Sequence, residues 1–357
     1  MKTLLRYMMI LFNAGVVLAL LVTYLSVFVS PADFWILAFF GLAYPYILLI
    51  NILFVIFWLL TRWKLSFFSL LAILSGTNHL QNYFQLGEKT SVREGVSICS
   101  YNVKHFFGMT PGVEGKKIEE QIAEYLRSKN ADIICLQEMN ASSMEDFNPF
   151  PDIRGEKKIS VNATRLTQHT GPVVFTRHTI LNSEEISFDD SENRIVFADI
   201  KIDSDTLRIY SCHLQSYRLN RTDFHSLESL SIDYQNKGFQ NLRQLGIKFK
   251  EAFIKRTAHA KALNNNIRQS PYPVVVCGDF NDSPVSYTYR TVRGQLNDAF
   301  VESGSGTGNT YAGHLPSFRI DYILHSKIFL ARNFKIDRVP YSDHYPVNCT
   351  LLRSEKQ

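Results

Sequence analysis

A chain of 357 residues, 46% hydrophobic and 20% charged, has room for one large domain and a smaller region beside it. The formal net charge is +5, but residues 1–86 hold four cations (Lys2, Arg6, Arg62, Lys64) against one acid (Asp33), a net of +3. Residues 87–357 therefore carry only +2, which speaks against a nucleic-acid binder relying on a broad cationic face, though a local basic groove stays open.

The first elements are apolar. Residues 8–29 and 34–60 are each long enough to cross a bilayer, which takes about 20 residues, and Pro45 inside the second is tolerable in a membrane helix. A second long span at once after the first, with no small-residue cleavage site, speaks against a cleaved signal peptide. A third apolar stretch, 65–74, softens into Ser75-Gly76-Thr77-Asn78-His79. It reads as a third span reaching towards Phe84, or as an interfacial helix. A buried helical hairpin of a soluble protein fits poorly with so few charges over this length. Lys2 and Arg6 precede the first span and Arg62 and Lys64 follow the second, so both basic ends are expected in the cytoplasm. If the third stretch crosses, the remaining domain is extracytoplasmic, and crossing is the expectation. The chain is thus read as an integral membrane protein, with a transmembrane helical region at 1–86 and a catalytic domain at 87–357.

From Gly87 the pattern becomes that of a globular domain. Apolar runs rich in β-branched residues recur at 96–99, 133–136, 173–175, 195–200, 207–212, 274–277, 320–324 and 347–352, the signature of buried strands. Helical faces lie between some of them: Ile118, Ile122, Tyr125 and Leu126, then Phe249, Phe253, Ala260 and Leu263. Strands with interspersed helices suggest an α/β sandwich of two packed sheets. Residues 216–243 break the rhythm with aromatics and cations such as Tyr217, Arg218, Phe224 and Lys237. They read either as a substrate-facing lid or as a peripheral helical decoration. Cys99, Cys135, Cys212, Cys277 and Cys349 all fall inside apolar runs without a CxxC pair, so buried, inert thiols are expected.

Polar punctuation ends these runs: Tyr101-Asn102, Leu136-Gln137-Glu138, His213-Leu214-Gln215, Gly278-Asp279-Phe280-Asn281, Arg319-Ile320-Asp321-Tyr322 and Ser342-Asp343-His344. Each is weak alone. In order, at six strand ends, carboxylates, amides and imidazoles make a set suited to holding a divalent metal and activating water against a phosphate. Asp279 and Asn281, two apart on an extended segment, point to the same side.

These motifs resemble the endonuclease/exonuclease/phosphatase family, which includes deoxyribonuclease I, apurinic endonucleases, bacterial sphingomyelinases and inositol polyphosphate 5-phosphatases. The likeness covers residues 94–353 and leaves the membrane segment outside. It implies a four-layered α/β sandwich, two mixed sheets flanked by helices, and hydrolysis of a phosphoester with Mg²⁺, or with Mn²⁺ or another divalent cation. Carried over by motif, Asn102 and Glu138 would hold the metal, with Asp343 as a further acid. Asp279 would position water, Asn281 would donate to phosphate oxygens, and His344 would be the general base with Asp321 on its other ring nitrogen. The reverse assignment of Asp321 and Asp343 stays open. His213, where apurinic endonucleases have tyrosine, would protonate the leaving group or bind phosphate. Arg319 and Asn309-Thr310-Tyr311 match a supporting pattern, with Arg319 as an anion clamp. His105, His169, His178, His259, His314 and His325 lack such support and read as surface or core residues. Pro172 beside Gly171 departs from the family's glycine-rich strand.

The resulting expectation is a membrane-anchored phosphoester hydrolase, a phosphodiesterase of nuclease or lipid-headgroup type. The alternatives are a phosphomonoesterase and a catalytically silent anchored binding module. The implied partners are the lipid bilayer and the phosphoester substrate, with no protein partner.

Overall fold

Six helices open the chain in the computed structural model, which describes residues 2–87, 94–108, 116–144, 147–150, 162–164, 169–219, 223, 236–313 and 318–354. They are α1 (Lys2–Ser26), α2 (Pro31–Phe34), α3 (Ile36–Leu42), α4 (Tyr44–Thr61), α5 (Trp63–Ser75) and α6 (Thr77–Gln81). Only α1 and α4 are long and apolar enough to span a membrane, and both leave most of their apolar side chains exposed. The expected second span, 34–60, is not one helix. Pro45 cannot donate a backbone hydrogen bond, so a helix restarts with it in the first turn, and α3 becomes a separate element. Three long helices form a bundle. Asn51 Nδ2 donates to the Val16 carbonyl (3.2 Å) and Trp58 Nε1 to Asn13 Oδ1 (2.9 Å), so α4 runs back along α1. Asn13 Nδ2 meets Ser69 Oγ at 2.7 Å and the Tyr24 hydroxyl donates to the Ala72 carbonyl, so α5 follows the direction of α1.

The strands follow in chain order. They are β1 (Gln85–Leu86), β2 (Val96–Asn102), β3 (Ile133–Asn140), β4 (Asn162–Ala163), β5 (Thr170–Thr176), β6 (Thr179–Phe188) and β7 (Ser191–Ile202). Then come β8 (Asp205–His213), β9 (Val274–Asp279), β10 (Asn297–Asp298), β11 (Ser305–Gly306), β12 (Asp321–His325), β13 (Phe329–Ile336) and β14 (Val347–Arg353). One six-stranded sheet has the order β13-β14-β2-β3-β5-β4 and the other β10-β12-β9-β8-β7-β6. Both are mixed, with β2–β3 and β8–β9 parallel. Alternation along each strand decides the layers. Ile98, Ile133, Cys135 and Cys349 face the opposite sheet and meet its Ile209 and Cys277, while Cys99, Ile134 and Leu136 face outward. There α7 (Lys116–Lys129) covers them with Ile118, Ile122 and Leu126. On the other side α8 (Asn236–Arg268) and α9 (Tyr287–Arg293) lay Ala260, Leu263, Tyr289 and Val292 on the second sheet, and α10 (Ala299–Ser303) caps an edge. The expected α/β sandwich behind an apolar helical region is the architecture observed. All five cysteines are buried and free.

The helices dock on the sandwich. Phe39 of α3 packs against Phe249 (tilted) and Phe253 (edge-on) of α8 at 5.4 and 5.2 Å between ring centroids. A Cβ on Gly41 would collide with the Val285 carbonyl, and Val285 is buried among Leu20, Val27, Tyr44 and Leu48. Whether 216–243 forms a lid lies mostly outside the described residues. Of that stretch, Ser216–Leu219 line a cavity, and Tyr217 packs between Phe249 and the Arg256 guanidinium.

Candidate active site

Parallel pairing of β2 with β3 and of β8 with β9 sends four carboxyl-terminal strand ends to one edge of the sandwich, where open α/β sheets build their sites. Asn102 ends β2, Glu138 lies near the end of β3, and His213 and Asp279 end β8 and β9. Asp321 starts the antiparallel β12 directly opposite Asp279. His344 precedes β14 and is pinned by a β-bridge to Tyr311, whose ring meets the imidazole edge-on at 5.3 Å.

Backbone strain collects here. Glu138 has φ 56° and sits where the β3–β5 register slips between Leu136 and Met139, a bulge that re-aims the side chain. Gly278 has φ 137°, and a Cβ there would strike the Cys212 carbonyl, so the β8–β9 approach requires glycine. Lys104, His105 and Phe106 all adopt left-handed φ (46°, 51° and 63°), a conformation costing about 1–2 kcal/mol per residue. That turn swings His105 Nε2 to 3.1 Å from Glu138 Oε2 and Lys104 Nζ to 3.0 Å from Asp343 Oδ2.

The polar groups form one network. Asn102 Nδ2 donates to Glu138 Oε1 and to Asp279 Oδ2, both at 3.1 Å. The Asn281 backbone N–H donates to Asp279 Oδ1 (2.7 Å) and its amide to Asp279 Oδ2 (3.0 Å). His213 Nε2 lies 3.3 Å from Glu138 Oε1, while its Nδ1 meets the Asn193 amide rather than a carboxylate. His344 Nδ1 sits 3.0 Å from Asp321 Oδ2 and its Nε2 3.7 Å from Asp279 Oδ2. Of the two aspartates left open, Asp321 therefore reaches the imidazole and Asp343 reaches Lys104.

Burial sets the charges. It works to raise the Glu138 pKa, but the His213 and His105 imidazoles and the Asn102 amide outweigh it, and the carboxyl is held below its ordinary value. For Asp279 burial prevails and lifts the pKa to about 6, against the pull of His344. His344 is opposed by burial, yet Asp321 and Asp279 overcome it and raise its pKa to about 10. In this chain without a metal, the proton belongs to His344 and the ionised Asp279 faces it.

Arg319 is a correction. It is fully buried and spends its fork on Asp298, Nη1 to Oδ1 at 3.1 Å and Nη2 to Oδ2 at 2.7 Å, with its guanidinium against the Phe300 and Tyr322 rings. A guanidinium buried in an ion pair cannot clamp a substrate anion. Of the other expected residues, Asn102, Glu138, His213, Asp279, Asn281, Asp321 and His344 converge in the network, and Asp343 stands on the cavity wall. Thr310 supports from behind, its hydroxyl accepting the Ile320 and Asp321 backbone N–H groups at 3.1 Å. Sequence reasoning missed His105 and Asn193. Neither carries a local signal, since a left-handed turn brings in the one and the β7–β8 pairing the other.

Comparison with known proteins agrees with this fold. Residues 99–344 match the family model described as Endonuclease/Exonuclease/phosphatase family, and residues 6–83 match a domain of unknown function. No curated protein matches significantly in sequence. Among solved structures, the chain resembles a humanized D. rerio TDP2 carrying 14 mutations (16% identity, TM-score 0.50, covering 72% of this chain and 98% of that one). It also resembles the Bacteroides thetaiotaomicron mannosyl-6-phosphatase (14%, TM-score 0.50, 72% and 99%) and the human Nocturnin catalytic domain with bound sulfate (16%, TM-score 0.50, 75% and 98%). At these identities the likeness establishes the fold.

Proposed function

This chain belongs to the endonuclease/exonuclease/phosphatase family, and from that premise we propose that it is a membrane-anchored, divalent-metal-dependent hydrolase of phosphoesters, a phosphodiesterase in the first instance. The observation that carries this reading is the convergence of Asn102, Glu138, His213, Asp279, Asn281, Asp321 and His344 in one polar network, with Glu138, Asp279, Asn281 and His344 opening onto a cavity.

The donor set fits a hard cation such as Mg²⁺. Glu138 is held ionised, and Asp279, Asp321 and His344 bring ligand atoms within 4.8 Å of one another. Because Asp321 is engaged by His344, Glu138 with Asn102 is the pair that would hold the ion, with Asp343 as a further acid. A divalent cation there supplies charge neutralisation to the phosphate oxygens.

The remaining chemistry belongs to side chains. Asp279, oriented by three hydrogen bonds from Asn102 and Asn281, holds the attacking water and takes its proton. Asp321 and Asp279 raise the His344 pKa, which suits the imidazole to donate rather than to accept. His344 then donates from Nε2 to a phosphate oxygen while Asp321 fixes Nδ1. Asn281 adds an amide, and His213, with its Nε2 3.3 Å from Glu138 Oε1, would serve the leaving group.

The helical bundle supports anchoring with the sandwich outside the cytoplasm. Arg6, Arg62 and Lys64 gather at one end, and α5 carries the chain to the other. A reporter fused at the C-terminus reads this directly, and a cytoplasmic signal rejects it. For the chemistry, the full chain in detergent is assayed on bis-p-nitrophenyl phosphate with Mg²⁺ and with EDTA. Hydrolysis that survives EDTA, or a kcat in Asp279→Asn within tenfold of the parent, overturns the mechanism; the residual activity of the variant carries the pH profile. Loss of the acid limb near pH 6 in Asp279→Asn, with the limb retained in His344→Gln, identifies Asp279 as the base; the converse restores His344.

A further inference from the structure

The catalytic residues occupy only half of their cavity. It measures about 570 Å³, with Glu138, Asp279, Asn281, Asp343 and His344 on one side. The opposite side is apolar, and part of it comes from the membrane-anchoring region: Phe39, Leu42 and Tyr46 of α3 and α4 face Phe249, Phe318 and Ile320 of the sandwich. Such a surface has no use in holding the phosphate itself. Nor does it suit a polyanion, because the cations lining the cavity are already paired, Lys104 with Asp343 and Arg218 with Glu192.

A second observation says where an apolar ligand would come from. Tyr46, Leu49 and Leu53 are 46%, 53% and 55% exposed, and their spacing of three and four residues puts them on one face of α4. This exposed stripe starts at the cavity wall and runs down the helix that is apolar enough to enter a bilayer. Cavity and stripe form a continuous apolar path from the anchor to the carboxylates.

We infer that the substrate is a lipid phosphoester whose acyl chain enters along α4 and lies between α3–α4 and the sandwich, with its phosphate at Asp279 and His344. The inference rests on the phosphoesterase reading and adds its substrate class. The anchor is then half of the binding site as well as a tether. Phe39, Leu42 and Tyr46 become the residues that select for chain length, and removing residues 1–86 would open the cavity to water.

The test uses the full chain with Mg²⁺ on alkyl p-nitrophenyl phosphates whose alkyl group has one, four or eight carbons, all kept monomeric so that partition into micelles plays no part. The expected result is a kcat/KM that rises with each added methylene, by up to about fourfold per group buried. In Leu42→Gln and in Tyr46→Ala the octyl-to-methyl ratio falls by about tenfold or more. A flat dependence on chain length, equal losses on the methyl and octyl esters in both variants, or plasmid DNA hydrolysed in preference to the octyl ester overturns the proposal. If even the methyl ester is untouched, the phosphoesterase reading itself fails, and the apolar wall is judged by binding. Vesicles of phosphatidylcholine carrying a diazirine acyl chain are photolysed with the protein. Label at Phe39, Leu42 or Phe249 upholds the lipid site, and label confined to the outward faces of α1 and α4 rejects it.

Discussion

The two walls of the cavity are built on opposite principles. The strand-end wall is polar and held by directional bonds: Asn102 ties Glu138 to Asp279, and Asp321 fixes His344. The helical wall is held by packing, with Phe39 against Phe249 and Phe253 and the Gly41 backbone against Val285. The difference has consequences for tolerance. A buried polar network fails when one partner is removed, because the others are left unsatisfied. A packed apolar wall loses affinity in proportion to the surface removed and keeps its neighbours intact.

The largest effect that tests this contrast is on turnover. Asp279→Asn should lower kcat by about 10³-fold or more, in the upper range for a general base, while circular dichroism and thermal unfolding stay close to those of the parent. A variant retaining a tenth of the parent kcat would mean that the polar wall is not the catalytic one.

Stability should respond elsewhere. Arg319→Ala leaves Asp298 buried without its partner, and the cost should be about 3–5 kcal/mol in chemical unfolding, with kcat per folded molecule retained. A selective loss of kcat would restore Arg319 to the site. At the seam between the walls, Gly41→Ala overpacks a closed contact and should cost about 1–3 kcal/mol. If its melting temperature equals that of the parent, helices and sandwich are not coupled there.

The smallest effect concerns pH. The His344 pKa is raised from 6.5 to about 10 in the fold, so in the metal-free protein its contribution is fully present below pH 6.5 and fades as pH rises through 10. The difference in melting temperature between the parent and His344→Asn, measured without metal, should therefore shrink between pH 7 and pH 10. A constant difference removes the ion pair with Asp321 from the account.

Much of the sandwich was legible because its strands are buried on both faces and read as continuous apolar runs. Apart from the two-residue strands, the two that escaped, β6 and β13, have other patterns. β6 is an edge strand whose residues are mostly exposed, so Thr179–Phe188 shows no apolar run, and β13 breaks its own alternation at the register shift between Arg332 and Lys335. At the site, the residue types at strand ends were visible while their partners were not. Arg319 illustrates the limit. Its place two residues before Asp321 suggested an anion clamp, but Arg319 precedes β12, and there the chain turns its guanidinium into the core towards Asp298.

The sequence by itself determined the apolar helical region, the α/β sandwich and the chemical character of the strand ends, because each of these is written in local composition and periodicity. Only the tertiary structure decided which carboxylate meets His344, that His105 turns back to Glu138, and that an apolar N-terminal helix forms a wall of the cavity at the strand ends. Those are contacts between residues far apart in the chain, Asn102 with Asp279 or Phe39 with Phe249. They arise from strand register, one left-handed turn and the docking of two regions, none of which leaves a periodic trace in the sequence.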